Sequence, residues 1–430
     1  MASIIISRMS FLPNRHHLAA LLALFALMFF SSRSAPTPFE LPAKIWLQVS
    51  DYTFNASAWE LESLFDKAQI SALGAPRFFG AAVQHQSVLQ IIELTRQMDE
   101  VQAEIDKIYA DPANAADPQA ASVEQRARLA ELSRQYEALA PFAESILEDQ
   151  VSRVVAALGL SRGGQPWPWV LYRASPLPQN LVISRRDVIE QQASILLDPN
   201  LSTEQAEEIE KRVDADFGVS SLVVPIGGVA LYPTMVYRAD NLSWMVSTIA
   251  HEWIHNYMQI SPISKQYDDA QVRTMNETTA EIAGNEIGKL VMQIYYPELA
   301  RRPALDRQLA AAPENGFAAE EFNFNAEMHT TRVHADELLA AGKIDEAEAY
   351  MEARRRFFWD NGYTIRKLNQ AYFAFYGAYA DTPGGAAGED PVGPAVRELR
   401  ARSASLQEFV DTIRKMSSFA ELQAALEKKP

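Results

Sequence analysis

Two of the chain's seven histidines stand four residues apart in His251-Glu252-Trp253-Ile254-His255, and this spacing leaves little latitude in local structure. Residues i and i+4 lie one above the other on an α-helix, so both imidazoles reach one point only if the stretch is helical. The flanks agree: Asp240 and Asn241 offer N-cap side chains, the helical run covers Leu242 to about Ile260, and Pro262 stops it. Val246, Ile249, Trp253 and Tyr257 form a separate apolar stripe, which can face a core while the histidines face a cleft. This is the H-E-x-x-H arrangement, in which the imidazoles ligate zinc and the glutamate lies beside the open coordination position as a base.

A catalytic zinc site needs a third protein ligand. Downstream of His255, Asn276-Glu277-Thr278-Thr279-Ala280-Glu281 opens a second helical run. Glu277 can supply that ligand, and Glu281, one turn further, can accept the free ring N–H of His251. Gly284 and Gly288 continue the same face. Glycine inside a helix costs ~1 kcal/mol relative to alanine, so two on one face imply that another backbone comes close.

Together, HEWIH and NETTAE resemble the gluzincin metallopeptidases, the group of thermolysin and the aminopeptidase N family. The resemblance covers about Leu222 to Tyr296. It implies one zinc ion per chain held by His251, His255 and Glu277, with Glu252 as general base and Glu281 where thermolysin-like members carry Asp. It also implies an edge strand ahead of the first metal helix, on which a peptide lies antiparallel. The segment Ile226-Gly227-Gly228-Val229-Ala230-Leu231 holds that place in chain order, and strand addition gives it a physical role. No G-A-M-E-N-type aminopeptidase signature is present. Peptide hydrolysis further needs a donor for the developing oxyanion. The candidates are His329, Arg332 and His334 on one helical stretch and Asn369, Tyr372 and Tyr376 on a later one, with Tyr372 leading.

The rest of the chain supplies context. The apolar run Leu18–Phe30 comes after Arg8 and Arg15 and precedes small residues, which describes a cleaved export signal or an uncleaved membrane anchor. Either one puts the chain beyond Pro36 outside the cytoplasm. A net charge of −16 argues against a nucleic-acid partner, and the absence of cysteine removes thiolate chemistry. Residues 44–79 read as short helices with Trp46, Trp59, Leu61, Leu64 and Phe65 as core candidates. Ile91, Leu94, Met98, Val101, Ile105 and Ile108 make a coiled-coil seam; after a break at 111–118, Leu129, Leu132, Tyr136, Leu139 and Ile146 continue it past a kink at Pro141.

Short strands crowd between residues 163 and 240, and the chain beyond them is helical. The expected class is α+β, helix-dominated: a zincin-like metallopeptidase core with a short edge-stranded sheet, a helical C-terminal lobe and an inserted antiparallel helical hairpin. The divisions are 1–35 signal or anchor, 36–82 N-terminal helical segment, 83–160 hairpin, 161–300 catalytic domain and 301–430 helical lobe. The expected activity is that of a zinc-dependent peptidase outside the cytoplasmic membrane. Its partners are a peptide or protein substrate and, if the N-terminal segment is uncleaved, the membrane. The alternative is a membrane-tethered scaffold or binding protein with a structural or degenerate metal site. Glu252 favours catalysis, because a structural site needs ligands and no base.

Overall fold

A computed structural model describes residues 40–70, 74–110, 117–300, 322–379 and 385–427. The run Leu18–Phe30, and with it the export or anchor reading, lies outside these residues. Among the described residues no helix is long and apolar enough to cross a membrane. The chain divides into two units, Met1–Ser50 and Asp51–Pro430. In the first, Pro42 opens helix α1 (Leu41–Val49), where the missing N–H costs nothing.

The second unit begins with α2 (Ala56–Ile70), α3 (Ala81–Ala110) and α4 (Val123–Ala157). Ile91, Leu94, Met98, Val101 and Ile105 of α3 pack on Leu132, Tyr136, Ala140 and Ala143 of α4. The alternating spacing of three and four keeps one stripe turned to the partner. Helix α4 runs through Pro141 without a break. Its second half, with Ile146, Leu147, Val151, Val154 and Val155, enters the main core.

Helix α2 departs from expectation. Leu61 and Phe65 are 62% and 69% exposed, and the helix buries Ser63 and Lys67 instead. The reason lies across the interface. Strand β1 (Tyr172–Ser175) has two backbone N–H groups, on Tyr172 and Ala174, that donate to Glu148 and Glu144 of α4 at 3.0 and 2.9 Å. Carboxylates withdrawn from water need a cation. Lys67 Nζ supplies it, 2.6 Å from Glu144 and 2.8 Å from Glu148, so the polar stripe of α2 turns inward.

The strands form two small sheets. β2 (Gln179–Ser184), β3 (Gln191–Leu197) and β4 (Ser220–Pro225) are antiparallel in the order β3-β2-β4. β5 (Gly228–Val229) and β6 (Thr234–Tyr237) join β1 in the order β1-β6-β5, with β1 parallel to β6 and β5 antiparallel to it on the edge. Helix α5 (Thr203–Phe217), started by a Ser202–Gln205 capping box, links β3 to β4.

Among the described residues every later element is helical: besides short turns at Pro262–Lys265 and Gly385–Ala387, these are α6 (Leu242–Met258), α7 (Ala270–Tyr295), α8 (Phe324–Ala340), α9 (Ile344–Asp360), α10 (Gln370–Tyr376), α11 (Val392–Arg402), α12 (Leu406–Ile413) and α13 (Phe419–Glu427). The fold is thus α+β with helix dominant. Helices α6 and α7 share its largest core, where Val246, Ile249 and Trp253 meet Ala283, Ile287 and Val291. Helix α10 lies on the first sheet, with Ala371 against Val182, Leu222 and Val224.

Candidate metal centre

Helix α6 starts where the Asn241 side chain accepts the Trp244 N–H at 3.0 Å. Val246, Ile249 and Trp253 are then buried on the core side, and the Trp253 indole donates to the Pro168 carbonyl at 2.9 Å. Asn256 donates to the Leu231 carbonyl at 3.0 Å and ties the helix to the chain just after β5. These contacts fix the rotation of α6, so His251, Glu252 and His255 all point to one side.

Helix α7, capped by Asp269 on the N–H groups of Gln271 and Val272, crosses that side. The two glycines make the crossing possible. A Cβ at Gly284 would lie 2.8 Å from the Ser247 carbonyl oxygen and 3.0 Å from His251 Cα. One at Gly288 would lie 2.9 Å from Ser247 Cα. Such distances are below any ordinary van der Waals contact, so the backbones meet only because both side chains are missing.

The close crossing brings Glu277 to the histidines. His251 Nε2 and His255 Nε2 are 3.1 Å apart, and Glu277 Oε2 is 3.5 and 3.4 Å from them. A tetrahedral zinc ion with bonds of ~2.0–2.1 Å has ligand-to-ligand edges of about 3.4 Å. The triangle fits. Each donor atom is also turned toward its centre. His255 Nδ1–H donates to Asn276 Oδ1 at 2.9 Å, which leaves the Nε2 lone pair inward. His251 Nδ1 faces Glu281 Oε2 at 3.1 Å, though without hydrogen-bond alignment. The Tyr267 hydroxyl donates to Glu277 Oε1, whereas Glu277 Oε2 is sealed from solvent with no hydrogen-bond partner. An orphaned carboxylate oxygen between two imidazole nitrogens is a donor set that could hold a metal ion, and no other cluster of three such ligands occurs among the described residues.

The electrostatics point the same way. Burial opposes a charge on His251, but Glu277 and Glu281 beside it carry its pKa up to about 10. Burial also works against ionised Glu277, and His255 and His251 outweigh it and hold the carboxyl well below its ordinary range. The cluster therefore attracts positive charge. Burial pushes Glu252 up, and the two histidines offset this only in part. A carboxylate raised in this way is a stronger base than one in water.

Edge strand β5 passes directly over Glu252. A Cβ at Gly228 would stand 2.7 Å from Glu252 Cγ and 2.8 Å from its Cδ, so only glycine lets the strand approach. At Gly227 the same atom would meet the Trp244 ring at 2.9 Å. Strand, ligands and base line a cavity of about 330 Å³ that reaches Asn180 and Ser194 on the other sheet.

The oxyanion candidates lie away from this cavity. None of His329, Arg332, His334, Asn369, Tyr372 and Tyr376 lines this cavity. His329 and His334 pair with Glu389 and Glu337, and Arg332 pairs with Asp336. Asn369 caps α10 and donates to the Ser221 carbonyl. Tyr372 and Tyr376, one turn apart, both face the sheet at Val182, Leu222 and Val224. The chain then leaves the helix at Gly377 and carries Tyr379 into the cavity instead. Its ring lies 6.3 Å from that of His251. Although 38% of the residue is exposed, burial on its inner side and the carboxylates of Glu277, Glu252 and Glu281 push its pKa well up. It stays a neutral O–H donor. Tyr267, Asn276 and Arg273 also belong to the cavity. Arg273 has a sequence signal, standing four residues before Glu277, as Glu281 stands four after; Tyr267 has none. No family model matches the chain, and neither a curated protein nor a solved structure matches it.

Proposed function

We propose that the protein is a zinc-dependent peptidase of gluzincin type that acts outside the cytoplasmic membrane. The observation that carries this reading is the convergence of His251 Nε2, His255 Nε2 and the orphaned Glu277 Oε2 on one point beside buried Glu252. The element order supports a zincin-like core: an edge strand, then the histidine helix, then the glutamate helix. The N-terminal apolar run supports the location.

When bound, zinc supplies Lewis acidity toward water and a carbonyl oxygen. The remaining steps belong to the chain. Strand β5, an edge with a free side, aligns an extended peptide by main-chain hydrogen bonds. Glu252 takes a proton from the attacking water and passes it to the leaving amine. The Tyr379 hydroxyl donates a hydrogen bond to the oxygen that gains charge.

Glu252→Gln should retain zinc and stability while peptide hydrolysis falls by ~10²–10⁴. Glu277→Gln should lose zinc affinity and activity together. Metal analysis and a peptide library read both. A full-length preparation made with zinc present that carries no metal would overturn the proposal. So would wild-type turnover in Glu252→Gln.

A further inference from the structure

One charged side chain in the cavity takes no part in that chemistry. Arg273 is 6% exposed and lines the cavity together with His255 and Glu277. Its Nε is sealed from solvent and has no hydrogen-bond partner, and among the described residues its guanidinium forms no ion pair. The neighbouring polar groups are turned elsewhere. Glu277 faces the histidines and Tyr267, Glu281 faces His251, and Asn276 holds His255. Asp269, one turn back, spends a carboxylate oxygen on capping α7.

A buried guanidinium without a counter-charge is costly, and chains keep one where an anion completes it. Its planar fork matches a carboxylate better than any other common anionic group of a peptide. Arg273 and Glu277 lie one turn apart on the same face of α7, a separation of about 5–6 Å at their Cβ atoms. An anion on Arg273 therefore shares one cavity with the metal ligands. The cavity, about 330 Å³, stands at the small end of the ~300–1,000 Å³ typical of ligand pockets. It suits a short segment.

Resting on the peptidase reading, we propose that Arg273 recognises a substrate carboxylate, so that the site prefers peptides presenting an anion near the scissile bond. A free C-terminal α-carboxylate and an Asp or Glu side chain offer the same chemistry, and the test separates them.

Binding is measured by calorimetry on the full-length, zinc-loaded chain carrying Glu252→Gln, so that no probe is consumed. The probes are an N-acetyl dipeptide with a free C-terminus, its C-terminal amide, and the amide with Asp or Asn in the last position. The anionic member of at least one pair should bind at least tenfold more tightly. A preference for the free acid over its amide assigns the α-carboxylate, and one for Asp over Asn assigns the side chain. Arg273→Gln should abolish the preference with zinc content unchanged, and Arg273→Lys should keep part of it. If Arg273→Gln fails to fold, the pairs on the parent protein and on Arg273→Lys still decide. Equal binding within both pairs, or a preference that survives Arg273→Gln, overturns the proposal. The peptidase reading is judged separately by turnover of wild type. Hydrolysis without carboxylate preference removes Arg273's role alone; preference without hydrolysis of any library peptide removes the peptidase and leaves the anion site.

Discussion

Gly284→Ala sets two known effects against each other, and the sign of the result tests the helix crossing. In an unconstrained helix interior the substitution stabilises by ~1 kcal/mol. Here the new Cβ falls 2.8 Å from the Ser247 carbonyl oxygen and 3.0 Å from His251 Cα. Contacts normally sit at about 3.5–4.0 Å, so the helices must part by half an ångström or more. Both opposing atoms are backbone, and neither can rotate away. Overpacking of this kind costs ~1–3 kcal/mol, which leaves a net loss of up to about 2 kcal/mol after the helix-propensity gain. Because His251 itself is displaced, zinc affinity should also fall, by the ~10–100-fold seen when ligand support is disturbed. Urea unfolding of the metal-free protein gives the first quantity, and competition with a chromophoric chelator gives the second. Gly288→Ala is the control. Its crowding is against Ser247 Cα at 2.9 Å, a turn away from His251, so it should destabilise similarly and disturb zinc less. A Gly284→Ala protein that gains the full ~1 kcal/mol and binds zinc normally would refute the close crossing and the argument built on it.

The same contacts set three further outcomes. Lys67→Met strands the buried Glu144 and Glu148 and should cost ~3–5 kcal/mol. Burial already holds Glu148 above its ordinary value. A carboxyl raised on folding supports the fold at low pH and loses that support as pH rises through its folded pKa. The deficit should therefore be larger at pH 8 than at pH 5, and equal deficits in urea titrations would contradict the assignment. Gly228→Ala pushes a methyl into the Glu252 carboxylate and should lower turnover at least tenfold with zinc content intact; unchanged turnover would separate β5 from the base. Tyr379→Phe should lower kcat by ~10²–10³ without loss of zinc, whereas Tyr372→Phe should leave both unchanged; the reverse pattern would restore Tyr372 as the donor.

The sequence by itself determined whatever rests on spacing within one element. The four-residue step from His251 to His255 requires a helix, and the seam from Ile91 to Ile105 requires a helical partner. Two glycines on the face of Glu277 require a close neighbour, though they do not say which one. Tertiary structure decided whatever depends on how separate elements are turned. Leu61 and Phe65 face outward because two carboxylates of α4 need Lys67, a demand written nearly eighty residues away. Tyr372 and Tyr376 face the sheet because α10 lies on it, and it is Tyr379, beyond the helix end where periodicity no longer applies, that reaches the cavity. Arg273 stands in phase with Glu277 in the sequence, but the lack of a partner for its Nε emerges only in the packed structure, where Glu277 and Glu281 are turned to the histidines. Periodicity along a chain fixes which side chains share a face; burial and charge balance between elements fix what that face meets.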